Sequence, residues 1–127
     1  MTRRIVKTDQ APDPVGPYNQ AVIANGMVYT AGQIAIDPST IQLMAGSVEE
    51  QAHQVLKNLG AVLAEAGSSF GKIVKTTIYL KSMDDFSAVN AIYGTFFSED
   101  APARSTVEVS RLPKDVLVEI DCIAIVD

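Results

Sequence analysis

Two stretches of sequence decide the fold of this chain: Ala101-Pro102-Ala103-Arg104-Ser105-Thr106-Val107-Glu108-Val109 and Val116-Leu117-Val118-Glu119-Ile120-Asp121-Cys122-Ile123-Ala124-Ile125-Val126. Both stretches have the composition of β-strands, and the turn residues Leu112-Pro113-Lys114-Asp115 between them predict a hairpin. In the second strand the even positions from 118 to 126 are all apolar, whereas the odd positions mix apolar residues with two acids. Because side chains of a strand alternate between two faces, one face is predicted to join the core. The other face carries carboxylates among apolar side chains.

The two acids indicate that this strand does more than build a core. A half-solvated antiparallel strand alternates cleanly, so the apolar residues on the second face predict a strand that is covered on both sides. A covered acid needs a partner or a chemical role. Arg104, which shares a strand face with Thr106 and Glu108, is the candidate partner of Glu119. The pattern predicts a pocket with one guanidinium and one carboxylate, and it is equally compatible with a salt bridge inside an interface.

Length and composition predict one domain over residues 1–127. A chain of this size buries about two-thirds of its unfolded surface, and 47% hydrophobic with 20% charged residues is typical of globular proteins. No apolar run approaches the length of a membrane span, and the basic N-terminal residues lack the apolar core of a secretory signal. We therefore expect a cytoplasmic protein without membrane contact. A net charge of -5 disfavours nucleic acid as a partner.

Metal and cofactor chemistry are not expected. Cys122 and His53 are the only residues of their types, so the chain has no internal disulfide and no Cys/His cluster. Phosphate-binding glycine loops and dinucleotide fingerprints are also missing from the sequence. His53 falls on the polar side of a predicted helix, which excludes the Ser/His/Asp and Cys/His arrangements.

The remaining segments predict an α+β two-layer sandwich, a mixed β-sheet with two helices on one face. The first helix begins with the capping box Ser47 to Glu50 and ends at Gly67, and the second is capped by Asp84 or Asp85. The other predicted elements are an opening strand near Ile5 to Lys7, an Asn25-Gly26 hairpin joining Ala21–Ala24 to Met27–Ile34, a strand at Ile73–Leu80, and an end of the second helix near Phe97. Since no element covers the second sheet face, we expect oligomerisation through it.

Three further positions have both a functional and an ordinary structural interpretation. Tyr18 follows a segment of three prolines, where an aromatic either serves a site or packs beside the prolines. Gly32 ends a strand, which indicates a close backbone approach or a simple bulge. Asn90 lies on the apolar face of the second helix, where it either contacts a ligand or ties down a loop.

Several motifs taken together resemble the Rid/YjgF family, most closely its reactive intermediate deaminase A branch. The resemblance covers nearly the whole chain, and the segments around Arg104 and Glu119 are its most specific parts. The motifs are Gly16-Pro17-Tyr18, Gly32-Gln33-Ile34, Val74-Lys75-Thr76-Thr77, Asp85-Phe86 with Val89-Asn90, Pro102-Ala103-Arg104-Ser105 and Val118-Glu119-Ile120.

The resemblance implies a chorismate-mutase-like fold and a homotrimer around a barrel-like core, with three sites between subunits. The implied activity is hydrolysis of enamines and imines such as 2-aminoacrylate, 2-iminopropanoate and 2-iminobutanoate. In the family these compounds are released by pyridoxal-phosphate-dependent dehydratases, and hydrolysis gives 2-oxo acids and ammonia without metal or cofactor.

The resemblance also implies roles for individual residues. Arg104 grips the substrate carboxylate, for which a planar guanidinium has the right geometry. Glu119 activates the attacking water and moves protons to the leaving ammonia, and Tyr18 closes the pocket. The implied substrate-binding residues are Arg104, Gly32, Asn90, Ala103 and Thr106.

The chain departs from the family pattern at three positions. Thr106 replaces a cysteine that many members carry, and the single cysteine, Cys122, lies elsewhere, so thiol-based regulation is not expected. Ala35 replaces a common proline and Ile41 a usual turn glycine, which changes the expected shape of the loop rather than its chemistry.

Two alternative functions stay open at this point. The first is a non-catalytic trimer that binds small carboxylates or regulates another enzyme, with Glu119 as the ion-pair partner of Arg104. The second is the endoribonuclease activity attributed to some relatives, which the acidic composition disfavours.

Overall fold

A computed structural model of the chain, which describes residues 2–97 and 99–127, shows one mixed six-stranded sheet with two helices packed on it. The predicted α+β sandwich is therefore confirmed. The elements are β1 (Arg4–Val6), β2 (Ala21–Ala24), β3 (Met27–Thr30), β4 (Ile36–Asp37), β5 (Gln42–Leu43), α1 (Val48–Glu65), β6 (Ile73–Leu80), α2 (Phe86–Gly94), β7 (Ala103–Glu108) and β8 (Val118–Ile125). Neither helix of the described residues is long and apolar enough to cross a membrane.

The strand order of the large sheet is β1-β2-β3-β8-β6-β7, and β4 and β5 form a separate ribbon. The predicted hairpin between β7 and β8 is wrong, because β6 lies between them. Helix α2 returns the chain to the end of the sheet at which β6 begins. Strand β7 therefore runs in the same direction as β6 and pairs parallel with it. Residues 109–117 then carry the chain across β6, and β8 pairs antiparallel with both β6 and β3. The turn signal is real, but it forms a single 3-10 turn at Pro113–Asp115.

The two faces of β8 differ as the alternation predicts. Val118, Ile120, Cys122 and Ala124 are at most 2% exposed beneath the helices, whereas Glu119, Asp121 and Ile123 are only partly buried. The register continues this second face across the other strands of the sheet. We call it the open face; its members include Ile5, Val22, Met27, Tyr29, Tyr79, Val107, Glu119, Asp121, Ile123 and Ile125.

Helix α1 has the predicted boundaries. Ser47 and Glu50 form the complete capping box, and at the other end Gly67 takes the left-handed conformation with φ +82°. The Ser68 N–H donates to the Leu63 carbonyl at 2.8 Å, which closes the C-terminal turn. His53 is exposed, as expected, and does not line the cavity that contains Glu119.

The end of β3 and both ends of α2 differ from the prediction. Asn25 and Gly26 form the expected turn with φ 56° and 72°, but β3 stops at Thr30 rather than at Ile34. Helix α2 ends at Gly94 rather than near Phe97, and the Asp85 side chain makes no capping bond. Instead the Ser82 hydroxyl accepts a bond from the Asp84 N–H at 3.2 Å and starts a 3-10 turn before α2.

Candidate functional site

The predicted site residues divide into two groups in the folded chain. The first group lines a cavity of about 640 Å³ beside the first strands and consists of Tyr18, Gly32 and Glu119. We call this cavity the Glu119 pocket. The second group lies between β7 and α2 and consists of Asn90, Arg104 and Thr106. Together with Phe86 and Tyr93 we call it the Arg104 cluster.

Arg104 and Glu119 do not share a pocket within one chain. On β6, Thr76 pairs with Arg104 while Tyr79 pairs with Glu119. Residues 76 and 79 are an odd number of positions apart, so their side chains point to opposite faces of the sheet. The predicted guanidinium-carboxylate pocket is therefore wrong for the single chain, while the alternative of a salt bridge inside an interface between subunits stays a prediction. The error lay in the assumed hairpin, which would have put the two strands side by side.

Gly32 leaves the space that the Glu119 side chain occupies. A Cβ atom at position 32 would lie 2.0 Å from the Glu119 Oε2 atom and 2.8 Å from its Cδ atom. Real Cβ atoms do not approach other atoms so closely. The close approach predicted at Gly32 thus exists, and what approaches is the carboxylate of the same chain.

Glu119 is prepared to exchange a proton. Burial raises the pKa of its carboxyl group, and the negative charge of Asp121 raises it further. Among the residues that the structure describes, no lysine or arginine forms a salt bridge with Glu119. The rest of the pocket wall is largely apolar, with Pro12, Pro14, Val15, Ile34 and Ile36 among its members. A carboxyl group in such surroundings keeps its proton to a higher pH than an exposed one, which suits general acid-base chemistry.

The neighbouring acid is held differently. Asp121 accepts a hydrogen bond from the Tyr79 hydroxyl at 3.0 Å. Burial raises the pKa of Asp121, while this bond and the charge of Lys75 partly offset the effect. Asp121 is thus anchored on the open face, and it acts on Glu119 through its charge.

Tyr18 lies at the edge of the Glu119 pocket with 49% of its surface exposed. The Val15 N–H donates to its phenol oxygen at 3.4 Å, and its own N–H donates to the Gly16 carbonyl at 2.8 Å. The side chain is therefore not submerged among the prolines. It stands at the mouth of the pocket, where the predicted closing role would require it.

Arg104 is fixed by three residues of α2. Its Nη1 donates to the Asn90 Oδ1 at 2.7 Å, and its Cζ lies 4.9 Å from the Tyr93 ring centroid and 5.5 Å from that of Phe86. The three partners are four and three positions apart, so they share one helix face. Asn90 ties down a guanidinium rather than a loop.

Two polar groups of the Arg104 cluster keep unused bonding capacity. Arg104 has five N–H donors, and one of them bonds to Asn90. The Thr106 hydroxyl is buried and has no hydrogen-bond partner among the described residues. Buried polar atoms are normally paired, so this arrangement fits a missing polar partner beside the guanidinium. Tyr93 itself is held by a 2.8 Å bond between its hydroxyl and that of Thr76.

One further predicted site residue, Ala103, contributes little, and the single cysteine, Cys122, is not placed for chemistry. The Ala103 side chain lies on the sheet face opposite that of Arg104, so it points away from the Arg104 cluster. Cys122 is 2% exposed, and burial raises the pKa of its thiol to about 12. Such a thiol stays protonated and is a poor nucleophile. The described residues contain no group of three or more His, Cys, Asp or Glu side chains that could hold a metal ion.

Phe86 and Tyr93 were not predicted from the sequence as partners of Arg104. The signal was an aromatic pair on a helix that connects two strands, followed by an arginine in the second strand. The buried amides Gln51, Gln54 and Asn58 were also missed, because glutamine and asparagine on a helix are normally assigned to solvent.

Comparison with known proteins gives matches over almost the whole chain. A protein-family model described as Endoribonuclease L-PSP matches residues 8–126. A RutC family protein of Synechocystis is 66% identical over an alignment of 127 positions, which covers 98% of this chain and 98% of that one. The human 2-iminobutanoate/2-iminopropanoate deaminase is 45% identical over 125 residues, 98% of this chain and 91% of that one.

A solved structure agrees with these matches. The crystal structure of E. coli TdcF with bound serine superimposes with a TM-score of 0.92 at 42% identity, covering 98% of this chain and 99% of that one. Sequence motifs, fold and relatives thus point to the same group of proteins, and the resemblance found in the sequence is confirmed. The chain belongs to the Rid/YjgF family.

Proposed function

We propose that this protein hydrolyses 2-imino acids and their enamine tautomers to 2-oxo acids and ammonia, in sites shared between the subunits of a homotrimer. One observation carries the proposal: among the described residues, the Arg104 guanidinium bound by Asn90 and the half-buried Glu119 carboxyl group, whose pKa is raised, each lack a salt-bridge partner. Two copies of the chain would complete each other. Relatives named as 2-iminobutanoate/2-iminopropanoate deaminases supply the reaction class.

The position of β7 supports the shared site. It is an edge strand of the sheet, so the Arg104 cluster lies at the border of the molecule. The open face beside it carries exposed apolar side chains, including Tyr29 at 45%, Val107 at 40% and Ile125 at 43%. Such a face favours burial against other copies. Three copies that bury their open faces would bring the edge strand of one subunit toward the Glu119 pocket of the next.

The proposed reaction needs a carboxylate anchor and one proton shuttle. Arg104 binds the substrate carboxylate with the donors that Asn90 leaves unused, and the imine carbon reaches Glu119 of the neighbouring subunit. Water attacks C2 of the protonated imine, the π electrons of the C=N bond move to nitrogen, and Glu119 takes one proton of the water, which leaves a neutral carbinolamine. Glu119 then gives this proton to the carbinolamine nitrogen. The C–N bond breaks with its electron pair going to nitrogen, ammonia leaves, and Glu119 takes the proton of the hydroxyl oxygen as the 2-oxo acid forms. Glu119 finally passes this proton to the departing ammonia.

The surroundings of Glu119 fit both halves of this cycle. A group that first accepts and then donates a proton works best when its pKa lies close to the working pH. Burial and the charge of Asp121 move the pKa of Glu119 in that direction. The apolar wall of the pocket fits the short side chains of 2-iminopropanoate and 2-iminobutanoate. The cytoplasmic location stays a prediction.

The first test compares the wild-type protein with Glu119→Gln on 2-iminopropanoate that an amino acid oxidase generates in the assay. We expect the variant to lose about a hundredfold or more in kcat/KM, the usual contribution of a general acid-base. Activity equal to wild type would favour the alternative in which the protein only binds carboxylates. Cleavage of a single-stranded RNA by wild type, absent in Glu119→Gln, would favour the endoribonuclease alternative.

The second test addresses the shared site. Arg104→Ala and Glu119→Gln are assayed separately and after co-expression, with the mass of each preparation measured by light scattering. If each site takes Arg104 from one subunit and Glu119 from the next, random mixing restores about a quarter of the sites in a cyclic trimer. If one chain supplied both residues, the mixture would stay inactive. A monomer mass with a folded spectrum would also contradict the shared site.

A further inference from the structure

Five amide side chains are buried close to the Glu119 pocket, although amides normally lie at the surface, and all but Gln33 form side-chain hydrogen bonds among the described residues. The exposed fractions of the four with such bonds are 2% for Gln20, 5% for Gln51, 6% for Gln54 and 1% for Asn58. Gln20 precedes β2, and the other three lie on the core side of α1. Each makes its hydrogen bonds to main-chain atoms or to another of these amides, which indicates that they hold backbone segments in place.

Asn58 holds the wall that follows Gly32. The Gln54 Nε2 donates to the Asn58 Oδ1 at 2.8 Å, which leaves the Asn58 Nδ2 pointing away from Gln54. This nitrogen donates to the carbonyls of Ile34 at 3.2 Å and Ile36 at 2.9 Å. Both isoleucines line the Glu119 pocket. Asn58 thus holds the segment that follows Gly32, while the two backbone bonds between Gln33 and Ile120 hold its beginning against β8.

Gln20 holds the wall that carries Tyr18. Its Oε1 accepts a bond from the Thr8 N–H at 2.7 Å. Its Nε2 lies within 3.0 Å of the Thr8 carbonyl, 3.2 Å of the Ala11 carbonyl and 2.9 Å of the Pro12 carbonyl. The proline-rich segment has no regular secondary structure, so its carbonyls depend on such a partner.

Gln51 holds the start of the strand that carries the acid. Its Oε1 accepts a bond from the Leu117 N–H at 2.9 Å, two residues before Glu119. Its Nε2 donates to the Gly46 carbonyl at 3.4 Å. The beginning of β8 is thereby tied to the beginning of α1.

We infer that Gln20, Gln51 and Asn58 are positioning residues for the reaction, because each fixes one of the three backbone segments around Glu119. This inference rests on the proposed function. A regular helix or strand satisfies its own main-chain groups, whereas these segments are irregular and need external donors and acceptors. Gln51 and Asn58 do not line the pocket, and the Gln20 side chain, which does line it, is occupied by its bonds to main-chain atoms. They set the geometry of the pocket, while the substrate carboxylate is held by the separate Arg104 cluster.

The test replaces an amide with the acid of the same shape. Asn58→Asp and Gln20→Glu keep size and one acceptor but remove the donors to the wall carbonyls. We expect kcat on 2-iminopropanoate to fall about tenfold or more, since misplacing a catalytic geometry is costly. KM should change less than about twofold, because Arg104 still binds the carboxylate. If a variant only loses folded protein, its apparent kcat falls in proportion to the folded fraction. Dividing kcat by that fraction then restores the wild-type value.

Val62→Ala provides the matched control, because Val62 is fully buried on the same helix and lies outside the pocket. It lowers the melting temperature through a core cavity and should leave kcat per folded protein within about twofold of wild type. The inference is overturned if both amide variants keep wild-type kcat after the same correction, or if they lose activity only through KM.

A second readout separates this inference from the proposed function. The amide protons of Gly32 and Gln33 should exchange with solvent about tenfold faster in Asn58→Asp than in wild type, and not in Val62→Ala. If wild type hydrolyses no imine, the proposed function fails, and this exchange measurement then decides whether Asn58 positions the wall. Unchanged exchange in Asn58→Asp would overturn the positioning role whatever the activity.

Discussion

The Arg104 cluster and the Glu119 pocket surround their ionisable groups differently: the first supplies Arg104 with contacts, whereas the second gives Glu119 no cationic partner among the described residues. Arg104 is surrounded by partners, with the Asn90 amide at 2.7 Å and two aromatic rings within 5.5 Å. Glu119 has no cationic partner among the described residues, and burial raises its pKa. A group that must stay charged gains from contacts that stabilise the charge. A group that must exchange a proton gains from surroundings that make its two states nearly equal in free energy.

The two regions also differ in what builds them. The Arg104 cluster consists of side chains on one helix face and one strand, which regular secondary structure places without further support. The Glu119 pocket combines one strand residue with irregular segments, a glycine and buried amides. We therefore expect small changes in the pocket to have larger effects than small changes in the cluster.

Gly32→Ala should show the largest effect. The added Cβ would lie 2.0 Å from the Glu119 Oε2, so the carboxylate must leave its position. We expect kcat/KM to fall about a hundredfold to a thousandfold, as for loss of a general acid-base. Steady-state kinetics on 2-iminopropanoate measures this. Gly94→Ala is the control, because a Cβ there has no atom within 4 Å and should leave activity unchanged. Equal kinetics for both variants would contradict the assigned contact.

Arg104→Lys should have an intermediate effect. Lysine keeps the charge but loses the planar fork, so kcat/KM should fall about tenfold to a hundredfold, equivalent to about 1.4 kcal/mol per factor of ten. Arg104→Ala should lose more activity but only about 1 kcal/mol of stability, since its contacts are one hydrogen bond and two cation-π contacts. Thermal melting and kinetics on both variants check this. A loss of about 3 to 5 kcal/mol would instead indicate a buried ion pair.

Asp121→Asn should shift a pH profile rather than abolish activity. The Asp121 charge raises the pKa of Glu119, so its removal lowers that pKa. If Glu119 accepts a proton from water, activity falls as pH drops through its pKa, and the variant should keep activity to lower pH. Profiles of kcat/KM against pH measure this. A shift to higher pH would contradict the electrostatic coupling.

The same two carboxyl groups make stability depend on pH. Burial raises the folded-state pKa of both Glu119 and Asp121, so the folded protein binds more protons than the unfolded chain. Their contribution to stability is present below the ordinary carboxyl pKa of about 4 and is lost as pH rises through the raised values. Asp121→Asn should lose less stability over this range. Thermal melting at a series of pH values measures it.

Ile41→Gly should have the smallest effect and lies outside both regions. Ile41 is 83% exposed and has φ +61°, a conformation that costs a β-branched residue energy. Glycine removes that strain, so we expect a gain of about 1 kcal/mol, or roughly 4 °C in Tm, with unchanged kinetics. Calorimetry measures the shift. A lower Tm would mean that the entropy of the unfolded glycine outweighs the strain.

The sequence predicted local features well and non-local ones poorly. The alternation in β8 and the capping box of α1 are set by neighbouring residues, so both were confirmed. Strand pairing is set by the path of the whole chain, and the turn signal at Pro113 did not show that β8 crosses β6. The same error hid the separation of Arg104 from Glu119. The roles of Gln51 and Asn58 were not predicted, because their partners include main-chain atoms far along the chain. Such bonds produce no pattern in the sequence.

The contact between Gly32 and Glu119 also constrains how this sequence can change over generations. No side chain larger than hydrogen fits at position 32 while a carboxylate occupies its present place at position 119. A descendant that keeps the acid in its present side-chain conformation must keep the glycine. A descendant that shortens the acid is released from that requirement and can accept alanine or serine at position 32. Substitutions at positions 32 and 119 are therefore expected to depend on each other, although 87 positions of chain separate the two residues.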